Sequence, residues 1–321
     1  MLSRALGLGL GCAADRLLAD PARFHPVAGF GRLAGTLEHR TYADDRSAGA
    51  LHVTVLVGTT ALAGAAIERA TRKRPVPHAL ATAIATWAVL GGTSLDREAA
   101  AVDRLLADDR LPDARVRLTH LVGRDTRRLD EGEVARAVIE SVAENTSDAV
   151  VAPLVLGAVG GIPALLGYRA VNTLDAMVGH RDERYERFGW AAARLDDLVN
   201  LPGSRVAALL AAALAPVVGG DPHEALLAWR RDAAGHPSPN AGPVEAAFAG
   251  ALAVRLGGEN TYSGRVEDRH VLGCGRPAAR HDISRARTLA RAVEAGATAI
   301  AVLIALRPRR RGAPGPSPGR P

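Results

Sequence analysis

The sequence is poor in aromatics, in lysine and in cysteine. Phe, Trp and Tyr together number 11 of 321 residues, so the aromatic stacking set of a single-stranded nucleic-acid binder is missing. Ala, Gly, Leu and Val must build the core instead. Lys73 is the single lysine, so the formal charge of +6 is an arginine balance. These arginines alternate with acids rather than forming a basic stripe, which argues against a nucleic-acid partner. Two cysteines, Cys12 and Cys274, exclude a disulfide scaffold and a cysteine-rich metal site, and fit a reducing compartment. The glycine-rich phosphate loop, the dinucleotide glycine fingerprint, the HExxH zinc motif and the GxSxG nucleophile elbow are also missing.

Mean hydropathy is +0.04 and 48% of residues are hydrophobic, averages close to those of a soluble chain. They conceal a segregation of charge. Residues 47–67 and 75–95 contain no Asp, Glu, Lys or Arg and are 21 residues each, enough for a helix to cross a hydrocarbon core ~30 Å thick. Between them ERATRKR carries Arg69, Arg72, Lys73 and Arg74, so the pair reads as a helical hairpin with a basic cytoplasmic turn. Two buried helices of a soluble protein are the competing reading. A third charge-free block, 149–168, is interrupted by Pro153, Gly160, Gly161 and Pro163, breaks that in lipid require protein or water alongside. Residues 206–220 and 295–306 form shorter blocks. The N-terminus is apolar to Ala14 and lacks a clear small-residue cleavage site, so it reads as a short membrane helix or an anchoring amphipathic one. If the turn at 68–74 is cytoplasmic and 76–95 crosses, residues 96–148, with 13 acids and nine arginines, lie outside. The expected fold is all-α: a polytopic integral membrane protein with polar helical loops between membrane segments. One domain covers 1–306, and an Arg/Pro-rich tail over 307–321 is disordered by composition.

The polar segments 96–110 and 130–143 have helical periodicity. Glu140, Glu144 and Asp148 recur every four residues, placing three carboxylates on one helix face. Like charges so placed repel unless a cation or arginines compensate. A divalent ion is one answer, and Arg124, Arg127 and Arg128 are the other. Asn172 and Asp175 precede Gly179, His180 and Arg181, with Arg184 and Arg187 beyond. His180 is a candidate base. The arginines are candidates for phosphate or carboxylate, or for pairing with their acidic neighbours. Asp196 and Asp197 cannot both face one partner on a regular helix, so one is free for an ion while the other meets Arg194. HPSPNAGPVE at 236–245 is a rigid turn with Ser238 and Asn240. LGGENTYSG at 256–264 reads as a Gly/Asn-rich loop able to present backbone N–H groups to an anion.

In order, these motifs resemble the adenosylcobinamide-phosphate synthase family, membrane proteins of cobalamin biosynthesis. The matching pieces are DPARFHPV at 20–27, GRDT at 123–126, IESVAENTSDAVVAPL at 139–154 and the stretch from GGIPALLGYRAVNTLDAMVGHRDERYER through LDDLVNLPGSR, 160–205. HPSPNAGPVEAAFAGAL at 236–252 and LGGENTYSG complete a match over roughly residues 5–306. The chain departs from the family pattern at Ala19, where Gly precedes DP, and at Ala176 and His180 within NTLDSMVGY. It departs again at Leu201, Gly203 and Ser204, where the pattern is nearer NYIPAR.

The resemblance implies multi-pass membrane residence, with site loops facing the cytoplasm, and an amide-forming ligation. Its substrates would be adenosylcobyric acid, a corrinoid, and aminopropanol or its phosphate. Other cobalamin-pathway enzymes are possible partners. A carboxylate does not condense with an amine unaided in water. ATP with Mg²⁺ would activate it, and the site then needs anion clamps, a cation and a proton sink. The candidates are Glu140, Glu144, Asp148, Asp175 and His180 for catalysis. Glu144, Asp148, Asp196 and Asp197 are candidates for metal. Arg124, Asn145, Asn172, Arg181, Arg205, Ser238 and Asn240 are candidates for substrate. The competing classes are a membrane transporter or scaffold for corrinoid intermediates and a soluble all-α ligase.

Overall fold

In a computed structural model the fold is described for residues 1–20, 26–180, 182–262 and 265–307. Most of the described residues are helical. Four helices open it: α1 (Leu2–Leu18), α2 (Pro26–Thr41), α3 (Arg46–Thr71) and α4 (Pro75–Val89). The polar helices α5 (Gly92–Ala107) and α6 (Leu111–Leu118) follow. Next, α7 (Glu131–Thr146) runs through a π-helical turn (Ser147–Val151) into α8 (Ala152–Gly160). After α9 (Ile162–Val178) and α10 (Trp190–Ala213) come α11 (Pro222–Asp232) and α12 (Ala241–Leu252). Strands β1 (Val254–Tyr262), β2 (Arg265–Leu272) and β3 (Arg276–Pro277) lead into α13 (Arg280–Leu306).

The starts of these helices follow from local chemistry. The Asp45 side chain accepts the N–H groups of Ser47 and Ala48 at 2.8 and 3.2 Å and caps α3. Asp130 and Glu133 form a reciprocal capping box at the start of α7, each bond 2.8 Å, satisfying two donors that the first turn leaves open. A core with few aromatics closes by bringing backbones together at small residues. A Cβ at Gly7 or Gly11 of α1 would lie 2.4 Å from Thr82 or Thr86 of α4, and one at Gly203 of α10 2.5 Å from the Ala152 Cα.

Among the described residues, three helices are long and apolar enough to cross a membrane by length and composition: α3, the continuous α7–α8 rod over Glu131–Gly160, and α13. The rod is the central one, since 72% of its apolar window is buried, against 22% for α3 and 33% for α13. The expected hairpin over 47–67 and 75–95 forms as α3 and α4. However, α4 has only 15 residues, short of the ~20 needed for a straight crossing. The interrupted block 149–168 breaks at Gly161, whose φ of 75° is open to glycine without strain. That break is sealed by protein. Glu68 accepts the Ile162 N–H at 2.8 Å and pairs with Arg4. Arg4 also donates to the Val159 carbonyl at 3.1 Å.

α3 and α9 run antiparallel, because Gly64 abuts Pro163 while Gly49 abuts Phe188. Thr298 of α13 meets Cys12 at 3.4 Å, and Gly9 faces Val302. The chain's N-terminus, the basic turn 69–74 and the end of α13 therefore share one end of the bundle. The C-terminal end of α9 and the start of α13 occupy the other.

The all-α expectation holds for the bulk of the chain and misses one β-hairpin. β1 and β2 pair antiparallel from Leu256↔Leu272 to Tyr262↔Arg265, with a bulge between Gly257 and Glu259, and β3 adds in parallel at Val254↔Arg276. The segment expected as a loop at 256–264 is thus mostly strand. Its glycines serve the bulge, where Gly257 and Gly258 have φ of 73° and 81°, and Leu256 and Leu272 fix the register by burial. The tail from residue 308 onward lies outside the described residues.

Candidate active site

Three elements bring carboxylates together at the α9 C-terminal end of the bundle. Asp148 lies in the π-helical turn, where the extra residue resets the face that the helix presents. Its Oδ1 accepts from Asn200 Nδ2 of α10 at 3.0 Å. The same Nδ2 lies 3.4 Å from Asp196 Oδ2. Asn172 Nδ2 of α9 reaches Asp196 Oδ1 at 3.5 Å. Tyr168 donates to the Asp148 carbonyl at 2.8 Å and lies 3.1 Å from Asn200 Oδ1. Asn200 is fully buried, so one amide ties two acids together out of water.

Asp175 stands nearly a turn beyond Asn172. Burial, then the charges of Asp197 and Glu144, raise its pKa to about 6. Burial, then the charge of Asp175, raise Asp196 to about 7. Both lie outside the three membrane-length helices. Glu144 interacts electrostatically with Asp148 and Asp175 on one side and with Glu140, Arg124 and Arg269 on the other. Consecutive acids divide as helical geometry requires: Asp196 is buried in the network, while Asp197 Oδ2 lies 3.9 Å from Arg194.

The first acid of the stripe has a different role. Glu140 pairs with buried Arg124, accepts the Gly257 N–H at 2.7 Å and lies 3.6 Å from Arg136. Arg124 also donates to Asn260 Oδ1 at 2.5 Å. This ion pair docks the hairpin on α7, so Arg124 is committed to protein groups. Arg127 turns to Asp125 at 2.6 Å on the surface, and Arg128 is exposed.

The substrate candidates from the 236–245 turn serve to hold that turn. Arg205 donates to Ser204 Oγ, the Pro239 carbonyl and Asn240 Oδ1 at 2.8, 2.9 and 2.9 Å. Asn240 Nδ2 donates to the Asp197 carbonyl at 2.8 Å. Ser238 Oγ accepts the N–H groups of Asn240 and Ala241 at 3.3 and 3.1 Å, inside the turn that leads into α12. Asn145 bonds back to the Ser141 carbonyl at 2.9 Å. His180 is exposed beyond the end of α9. Arg184 meets Glu38 at 2.9 Å, and Arg187 lies 3.8 Å from Asp44. Arg181 lies outside the described residues.

The sequence reading overlooked Asn200, Arg169 and Glu245. Glu245 is 1% exposed and lies 3.8 Å from His236. Burial drives its pKa well up, with the charges of Glu140 and Glu144 adding to the effect. A lone acid in AGPVEAAFAGAL was the available signal, as was the four-residue step from Asp196 to Asn200.

Among the described residues, no three His, Cys, Asp or Glu side chains form a group able to hold a metal by themselves. A magnesium ion needs only one or two protein carboxylates when it keeps waters and substrate phosphates, and Asp148 and Asp196 meet that lower requirement.

Fold and site together define a helical protein with membrane-length helices and a carboxylate network at one end of its bundle. The chain belongs to the CobD/Cbib protein family, whose model matches residues 8–290. It is 54% identical to the cobalamin biosynthesis protein CobD of Mycobacterium tuberculosis, covering 96% of this chain and 97% of that one. It is 44% identical to the CobD protein of Geobacter metallireducens (81% and 83% covered) and 42% identical to that of Chromobacterium violaceum (89% and 91%). No solved structure matches.

Proposed function

We propose that the protein is a membrane-resident ligase of cobalamin biosynthesis. It joins the free carboxyl of adenosylcobyric acid to the amine of aminopropanol or its phosphate. The reading rests on the network of Asp148, Asn200 and Asp196 with Asp175 and Glu144 beside it: acids gathered from three elements, of which Asp175 is raised to about 6 and Asp196 to about 7. The cobalamin-biosynthesis names of its relatives give the pathway. Magnesium ATP, when bound, supplies the phosphoryl group that activates the acid. Asp148 and Asp196 would hold the cation, and the charge of Glu144, which acts on Asp148, would favour it. Asn172 and Asn200 keep these carboxylates aimed. Asp175, with a pKa of about 6, is ionised at neutral pH and takes the proton released as the amine attacks. The acid-bearing end faces the cytoplasm, where ATP is available.

Purified protein in lipid, given adenosylcobyric acid, either amine, ATP and Mg²⁺, is expected to form an amide whose mass is acid plus amine minus water, with one ADP per amide. Folded protein that makes no amide and hydrolyses no ATP would refute the ligase. Glu144→Gln is expected to lower turnover roughly 10²-fold, the scale of losing one electrostatic contact to the transition state, while the protein stays in the membrane. Unchanged turnover removes Glu144 from the site.

A further inference from the structure

The end of the bundle opposite the carboxylate network is basic. Arg69 lies in the last turn of α3, Arg72, Lys73 and Arg74 follow it, and all four are exposed. Exposed Arg307 ends α13 at the same end of the bundle. The one acid in that stretch, Glu68, is already taken. It pairs with Arg4, accepts the Ile162 N–H at 2.8 Å and lies 3.5 Å from His78 Nε2. Cations so crowded repel one another, and a negative partner relieves them. Two helices start from this end side by side. Ser3 Oγ of α1 lies 2.8 Å from His78 Nδ1 of α4, and a Cβ at Gly7 or Gly11 would meet Thr82 or Thr86, so α1 and α4 run parallel. Each leaves an apolar ridge uncovered: Leu2, Leu6 and Leu10 on α1, and Val76, Leu80 and Ile84 on α4, every one at least 52% exposed. Residues four apart stack along one helix face, so each ridge extends about 12 Å away from the basic end.

We propose that this end is a seat for an anionic phospholipid, whose headgroup meets Arg69, Arg72, Lys73 and Arg74 and whose acyl chains lie on the ridges of α1 and α4. Charge complementarity selects the headgroup. A basic cluster beside a membrane helix attracts anionic lipid, and each basic residue strengthens the attachment about fivefold. The ridges select a lipid over a soluble anion, which would leave them in water. A zwitterionic lipid covers the ridges equally well but brings no net charge to the cations. The seat lies at the far end from the carboxylate network and does not depend on the ligase reading.

The test uses the full chain in a neutral detergent, with bound lipid read by native mass spectrometry and the thermal midpoint read beside it. Phosphatidylglycerol is expected to bind at least tenfold more tightly than phosphatidylcholine with the same chains, and to raise the midpoint more. That preference is expected to shrink as salt rises from about 0.1 M to about 1 M, where the screening length falls from about 10 Å to about 3 Å. The fourfold variant R69Q/R72Q/K73Q/R74Q is expected to lose the preference. A control with Gln at four exposed arginines elsewhere, Arg104, Arg128, Arg230 and Arg255, is expected to keep it. Equal binding of the two lipids by wild type overturns the proposal. Equal loss in the variant and the control also overturns it, since net charge would then explain the binding. Glycerophosphoglycerol, the same headgroup without chains, is expected to displace the lipid only at a concentration at least 100-fold higher. Displacement at equal concentration would make this a soluble-phosphate site and overturn the lipid. Should the fourfold variant not fold, Arg72→Gln and Arg74→Gln singly decide, each expected to weaken phosphatidylglycerol binding about fivefold and phosphatidylcholine binding not at all.

Discussion

Asp175 and Asp196 carry raised pKa values for the same reason: they sit out of water and near one another. A carboxyl whose pKa rises on folding favours the fold while protonated. Its contribution is complete below the unfolded value of about 4 and is lost as pH rises through about 6 for Asp175 and about 7 for Asp196. The thermal midpoint is therefore expected to decline between pH 4 and pH 7, and Asp196→Asn to flatten that decline. A cation held by the ionised pair would reverse the loss. Mg²⁺ at 100 times its dissociation constant stabilises by about 2.7 kcal/mol, so it is expected to raise the midpoint at pH 8 and not at pH 4. Equal effects at both pH values would separate these acids from the metal. At this scale the sequence was legible in part. The four-residue spacing of Glu140, Glu144 and Asp148 identifies a face, but not what packs on it. Arg124 and the hairpin claim Glu140, while Asp148 turns into the network.

The hairpin was the element least visible in the sequence. Gly257, Gly258 and Asn260 read as loop residues because glycine weakens a strand, yet here they build a bulge that brings Gly257 N–H onto Glu140. Its anchor is an ion pair with both side chains almost fully buried. Removing one partner of such a pair strands the other charge, which costs about 3–5 kcal/mol. Arg124→Leu is expected to destabilise the protein by that amount and to strip hydrogen-exchange protection from 254–272. Retained protection would place the hairpin's anchorage elsewhere. The α3–α4 hairpin was legible by contrast, since two charge-free runs of 21 residues leave few alternatives to helix. Their ends were not, as α4 stops at Val89 although its apolar run continues to Leu95.

At the scale of the molecule, two expectations exclude one another. The basic turn at 69–74 and the carboxylate network lie toward opposite ends of the antiparallel α3 and α9, so both cannot face the cytoplasm if α3 crosses a bilayer. Sequence alone could not expose this conflict, because end-to-end placement comes from packing. The proposed use of ATP would require the network on the cytoplasmic side. Exposed Cys274 precedes α13 at that same end and is a native probe. An impermeant maleimide is expected to label it in inverted vesicles and not in intact cells, with the pattern reversed for Lys73→Cys in a Cys274→Ser background. Labelling of Cys274 from outside would invert the orientation. If the carboxylate network serves an acid activated by phosphoryl transfer, the path of one oxygen atom reports it. Adenosylcobyric acid labelled with oxygen-18 in its free carboxyl is turned over with ATP and amine, and the inorganic phosphate is weighed. One oxygen-18 atom is expected in phosphate for each amide formed from doubly labelled carboxyl. Amide formed with unlabelled phosphate would contradict it.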